Sequence, residues 1–196
     1  MKGANLYCEG PGASLSTGYL ATRFVTLRKP LGFPPSAANL PDDDDAIHAW
    51  VVVGDEIVAV GRIHLIPSDS CGGGADTTEE NAAHCPDFQP LSEQGWLDER
   101  GGALPKLNSI RPAVQVRQMG TVEGHKRCGH AAKVLSAIED GAATQWGECT
   151  GFLQARNGAI KFYESQDWVC FGDEYLVEGI GPHRSMWKRL PVKQSN

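Results

Sequence analysis

Lys126 and Arg127 stand just ahead of Gly129 and Ala131 in the stretch EGHKRCGHAAKVL, residues 123–135. Two cations, a glycine and an alanine therefore open a segment whose apolar spacing predicts a helix over about residues 129–143. The stretch AVQVRQM, residues 113–119, alternates apolar and polar side chains and predicts a strand, so the local order is strand, turn, helix. A helix N-terminus presents unpaired N–H groups and the positive end of a dipole, and both suit a phosphate. On this segment alone, a glycine-containing helix entry with solvated Lys126 and Arg127 reads equally well. The sequence lacks G-x-x-x-x-G-K-[ST], which excludes an ordinary P-loop nucleotide site.

Other reactive side chains give weaker patterns. Cys71, His84 and Cys85, with His48, are ligand types for zinc, but their spacing matches no standard site and no metal is expected. The six cysteines form no C-x-x-C pair and read as free thiols. Trp50, Trp96, Trp146, Trp168 and Trp187 are too dispersed for a nucleic-acid stacking platform and read as packing residues. The acidic run at residues 42–45 could draw a cationic amine, or could simply be a solvated loop.

The chain that must position these groups has 196 residues, 41% hydrophobic and 21% charged, which suits one globular domain. A formal net charge of -6 lacks the footprint of a dedicated nucleic-acid binder. No apolar run approaches the roughly 20 residues that span a bilayer, and no signal-peptide core opens the chain, so a cytoplasmic protein without membrane contact is expected. Residues 1–18, rich in Gly, Ser and Pro, read as a flexible leader, and residues 191–196 as a tail. Residues 19–28 fit a strand or a short helix. AWVVVGDEIVAVGRIHLI predicts a hairpin turning at Gly54-Asp55. Residues 67–111, heavy in Gly, Asp, Glu, Pro and Ser, read as an insertion. Beyond the helix, CTGFLQA predicts a strand, NGAIKFYESQ a helix, and WVCFGDEYLVEG and HRSMWKRL further strands.

Residues 126–131, KRCGHA, resemble the Arg/Gln-x-x-Gly-x-Gly/Ala motif with which GNAT-superfamily N-acetyltransferases hold the pyrophosphate of coenzyme A. GFLQARNGAIKFYESQDW, residues 151–168, resembles the second motif of that family, and GDEYLVEGIGPHRSM, residues 172–186, resembles the Gly-Ile-Pro-His-x-x-Met ending of its ElaA-like branch. LRKPLGFPP and PDDDDAIH resemble the entry of the same branch, so the likeness covers residues 19–190 apart from the insertion. It implies an α/β GNAT domain, with a mixed, mainly antiparallel sheet flanked by helices on both faces.

The resemblance also assigns roles. The coenzyme would contact Lys126, Arg127, Cys128, Gly129, His130 and Ala131, with Gly129 letting the backbone approach the phosphate. Main-chain amides of Met119, Gly120 and Thr121 would hold the thioester carbonyl and pantetheine, and Asn157 would be a further coenzyme contact beside Arg156, which occupies the family's asparagine position. Tyr163 would protonate the departing thiolate. Residues 114–119 contain no carboxylate, so the base that accepts the amine proton is sought in Glu178 and His183, with His48 behind them; a structural role for His183 reads equally well. The expected reaction is direct attack of an acceptor's primary amine, small molecule or peptide, on acetyl-CoA, by a monomer or a homodimer paired through an exposed sheet edge. A catalytically silent coenzyme A sensor and a protein-interaction module, working through the insertion, are the alternatives.

Overall fold

The computed structural model describes residues 3–74 and 85–192. In chain order its elements are β1 (Ala4–Glu9), α1 (Thr17–Arg23), β2 (Ala46–Val53), β3 (Glu56–Leu65), β4 (Ala113–Thr121), α2 (His130–Trp146), β5 (Cys149–Arg156), α3 (Ile160–Glu164), β6 (Val169–Val177) and β7 (Gly181–Leu190). The strands hydrogen-bond in the order β1-β2-β3-β4-β5-β7-β6, a seven-stranded mixed sheet of an α/β fold, as the sequence predicts. The β4–β5 ladder is parallel, while β1–β2, β2–β3, β5–β7 and β6–β7 are antiparallel. The described residues divide into two compact units, one of residues 3–64 and 116–145, the other of residues 65–74, 85–115 and 146–192. Among the described residues no helix is long and apolar enough to cross a membrane.

In the first unit the β2–β3 hairpin turns where expected, with Gly54 at φ +64°, a conformation that costs glycine little. The leader expected over residues 1–18 is corrected, because Ala4–Glu9 runs antiparallel to β2 from Ala4 opposite Val53 to Glu9 opposite His48. Tyr7 stacks on Trp50 at 5.7 Å. On the other face Cys8 donates to the Ala137 carbonyl of α2. Cross-strand partners rather than an internal apolar pattern make this strand. Tyr19 of α1 meets Trp50 edge-on at 5.6 Å, whereas Gly141 of α2 faces Ile47 and Cys8, so the two helices cover opposite faces.

Ser16 caps α1 by accepting the Tyr19 amide, and the helix continues as a π-helical turn, Phe24–Arg28. The solvated loop allowed for residues 42–45 is corrected for its first two acids. Arg23 donates to both carboxylate oxygens of Asp43, at 3.0 and 2.8 Å, and to the Ala38 carbonyl, while Arg62 reaches Asp42 at 3.0 Å and Asp43 at 3.3 Å. Arg23, Arg62 and His48 are fully buried. Two cations without water around them require such counter-ions.

The second unit is built on the described part of the insertion. Phe88, Leu91, Leu104 and Ile110 join Ile66, Ala113, Phe152 and Phe171 in one buried cluster. Asp98 bridges to Phe171 and the Glu99 amide donates to the Cys170 carbonyl, so the insertion lies along β6, the last strand of the sheet. Residues 75–84 of the insertion, with the His84 considered for zinc, lie outside the described residues. The opposite face carries α3, where Tyr163 packs edge-on to Trp168 at 6.3 Å and Trp168 leaves no room for a Cβ on Gly151.

Candidate functional site

Strand β4 carries a left-handed residue near its end: Gln118 takes φ +56°, a conformation that strand residues rarely adopt. Met119, Gly120 and Thr121 follow it. Met119 packs its side chain into the space left by Gly61 of β3, and Gly120 lies against Thr26 and Leu27 of the π-turn. The strand then gives way to a turn pinned by a 2.9 Å bond from the Val122 amide to the Val58 carbonyl.

That turn delivers the chain to α2 through two left-handed residues, Arg127 at φ +59° and Gly129 at φ +78°. A Cβ on Gly129 would have no atom within 4 Å, so the space before the helix is open on that side. No acidic side chain occupies the first turn of α2. Lys126, Arg127 and Cys128 are exposed; Lys126 is paired with Glu123, and the Cys128 thiol leans on the Lys126 carbonyl at 3.4 Å. His130 is 8% exposed, and its Nδ1 is buried without a hydrogen-bond partner among the described residues. Burial, then His125 and Lys133, hold this imidazole below its ordinary pKa, so it is neutral. Unpaired amides, a dipole uncompensated by carboxylates and exposed cations make a turn that fits a diphosphate. Residues 119–121 and 126–131 all belong to the first unit.

The remaining candidates belong to the second. Tyr163, on α3, is buried, and its hydroxyl makes no hydrogen bond among the described residues. Burial alone pushes the phenol far above its ordinary value, so it keeps its proton throughout the physiological range. Asn157 is exposed and donates Nδ2–H to Glu174 at 2.7 Å. Glu178 is exposed in the turn between β6 and β7.

His183, on β7, is 5% exposed and approaches the Gly181 carbonyl through Nδ1 at 2.8 Å. A carbonyl can only accept, so Nδ1 bears the hydrogen and the Nε2 lone pair is free to take a proton. Burial, and then the charge of Arg156, lower its pKa against the pull of that carbonyl. His48 fails as a base: fully buried, it donates Nε2–H to the Asp43 carbonyl at 2.8 Å and has the Tyr19 hydroxyl on Nδ1 at 3.1 Å.

Sequence reasoning missed one set of side chains. Along β5, Phe152, Gln154 and Arg156 share a face, and the register places Trp187, Ser185 and His183 of β7 opposite them, with Phe171 and Tyr175 of β6 beyond. Gln154 accepts from Gln115 at 3.2 Å and donates to the Pro86 carbonyl at 2.8 Å. The period-two alternation in FLQAR could have grouped Gln154 with Arg156; their partners lie too far along the chain for any local signal.

The fold is shared with solved acyl-CoA N-acyltransferase structures of the GNAT superfamily. Escherichia coli ElaA matches with TM-score 0.60 at 15% identity, over 94% of this chain and 99% of that one. An acyl-CoA N-acyltransferase from Pseudomonas aeruginosa matches with TM-score 0.60 at 14% identity, over 95% and 99%. FeeM, an N-acyl amino acid synthase from uncultured soil microbes, matches with TM-score 0.63 at 9% identity, over 97% and 92%. No protein-family profile and no curated protein sequence matches the chain.

Proposed function

We propose that this chain, which has the GNAT acyl-CoA N-acyltransferase fold, transfers an acetyl group from acetyl-CoA to a primary amine by direct attack. The observation that carries the reading is the turn from Lys126 to Ala131, where two left-handed residues and an acid-free helix start leave the helix amides open to an anion, with Arg127 exposed and Lys126 held by Glu123 at the turn's edge. Lys126, Arg127 and the amides of Cys128 to Ala131 would hold the pyrophosphate. Met119 to Thr121, after the left-handed Gln118, would hold the pantetheine arm and the thioester carbonyl, with Asn157 as a further contact once released from Glu174.

The coenzyme supplies an activated acyl group on sulfur. The chain's own groups would then manage two protons. The amine nitrogen forms the new C–N bond as the C–S bond breaks; the excess amine proton passes to His183 Nε2, directly or through water, and the Tyr163 hydroxyl gives its proton to the sulfur. Both groups hold the protonation state this requires, His183 neutral and Tyr163 as the phenol. Glu178, exposed at the β6–β7 turn, would be the alternative acceptor of the amine proton. The protein would act in the cytoplasm on a small-molecule or peptide amine. Pairing of copies, if it occurs through a sheet edge, would use β1, since the insertion lies along β6.

A thiol-release assay with acetyl-CoA against amines, polyamines, amino acids and peptide N-termini tests this. Acetylation of one class of acceptor is expected. Coenzyme binding without turnover of any acceptor would favour the silent sensor, a reading supported by the absence of a carboxylate at residues 114–119.

A further inference from the structure

We propose that the acceptor amine carries a carboxylate, and that Arg156 holds this carboxylate beside His183 on the face of the second unit opposite α3. The proposal rests on the acetyl-transfer reading and names the substrate class of that site.

The face changes character along β5. At Phe152 it is apolar and roofed by the insertion, with Phe88 stacked on Phe152 at 5.0 Å. At Gln154 it becomes polar, and both ends of that amide are engaged, by Gln115 and by Pro86. It ends at Arg156, directly across from His183 in the β5–β7 register and partly exposed. Other arginines of this unit have acceptors: Arg111 bonds the Ile66, Pro67 and Ser70 carbonyls, Arg184 lies 3.7 Å from Glu99, and Arg189 pairs with Glu148 at 2.7 Å. Arg156 has no hydrogen bond and no carboxylate partner among the described residues. Glu174, on β6 beyond β7, accepts a hydrogen bond from Asn157.

A phenol lies on the same face. The Tyr175 hydroxyl is buried beside Ser185, and its ring stacks on His183 at 6.1 Å. A planar fork of N–H donors, a phenol and a neutral imidazole with a free lone pair suit an ion with two oxygens next to an amine that must lose a proton. A simple alkylamine or polyamine would instead meet an uncompensated positive charge here. The surroundings already desolvate Arg156 without an anion to compensate, and a bound carboxylate would supply one.

The test compares L-amino acids with their carboxamides as acceptors, using acetyl-CoA and the full chain. The free acid is expected to exceed its amide by about 10-fold or more in kcat/KM, and Arg156→Gln should erase that ratio through the free acid, with Arg156→Lys retaining part of it. Equal rates for acid and amide would overturn the proposal. So would a weakened affinity of Arg156→Gln for coenzyme A, since the guanidinium would then serve the coenzyme. If no amine is acetylated, the acetyl-transfer reading fails separately. N-acetyl amino acids and their amides, titrated while the Arg156 and His183 side-chain resonances are followed by NMR, then decide: shifts with the acid alone uphold the carboxylate site, and no shift overturns it.

Discussion

A Cβ on Gly120 would overlap the Thr26 hydroxyl, so β4 meets the π-turn backbone-close two residues after the left-handed Gln118. The contact is local to the first unit and fixes where the strand end lies. Gly120→Ala must displace Thr26 or Leu27, and the expected cost is about 1–3 kcal/mol in urea unfolding. An unchanged midpoint would show that the turn yields freely.

Gly129 behaves differently because open space surrounds it. Its φ of +78° is the constraint, so Gly129→Ala should cost about 1 kcal/mol in stability. The loss of coenzyme A affinity, read by calorimetry, should exceed the stability effect when each is expressed as free energy. Equal losses would mean that the substitution acts only on the helix start.

Tyr163→Phe should lower kcat by about 100-fold and leave the dissociation constant for coenzyme A within about 2-fold, because a general acid acts on the leaving group and not on binding. Retained kcat would transfer the proton to water. His183 sets the other side of the pH profile: its pKa lies below 6.5, so kcat/KM should fall as pH drops through values below 6.5 and stay level above them. His183→Asn should remove that acid limb as well as lowering the rate.

Stability has its own acid limb, from the first unit. Burial first, then Arg23 and Arg62, hold His48 below 6.5 against the Asp43 carbonyl, and Asp42 lies below 3.8 because Arg62 outweighs its desolvation. An unfolded His48 binds its proton at higher pH than the folded one, so stability is complete above 6.5 and declines as pH falls through that value. Asp42 adds a second decline below 3.8. Asp43→Ala should cost about 3–5 kcal/mol, since it strands Arg23 in a buried site. A flat denaturation midpoint between pH 7 and pH 5 would contradict the assignment to His48.

What the sequence made legible follows from the range of the forces involved. The turn at residues 126–131, the hairpin at Gly54 and the helix bearing Tyr163 are local patterns, and each is present. β1 was illegible because its strand state comes from β2, whose partners lie far along the chain, from Ala4 opposite Val53 to Glu9 opposite His48. Asp42 and Asp43 read as solvated because a charge run cannot show that Arg23 and Arg62 will be buried against it. The insertion read as loop because Phe88, Leu91, Leu104 and Ile110 are sparse in sequence and converge only once folded. For that reason, deleting residues 67–111 should unfold the second unit, giving loss of cooperative melting and not a clean loss of partner binding.

The central claim is that the turn before α2 holds a coenzyme A diphosphate. Isothermal titration of coenzyme A into the folded chain at several salt concentrations tests it most directly. The account predicts one site per chain, weakened by salt and by replacing Lys126 and Arg127 with alanine. Absence of binding to protein that melts cooperatively, or binding indifferent to both substitutions and to salt, would contradict it.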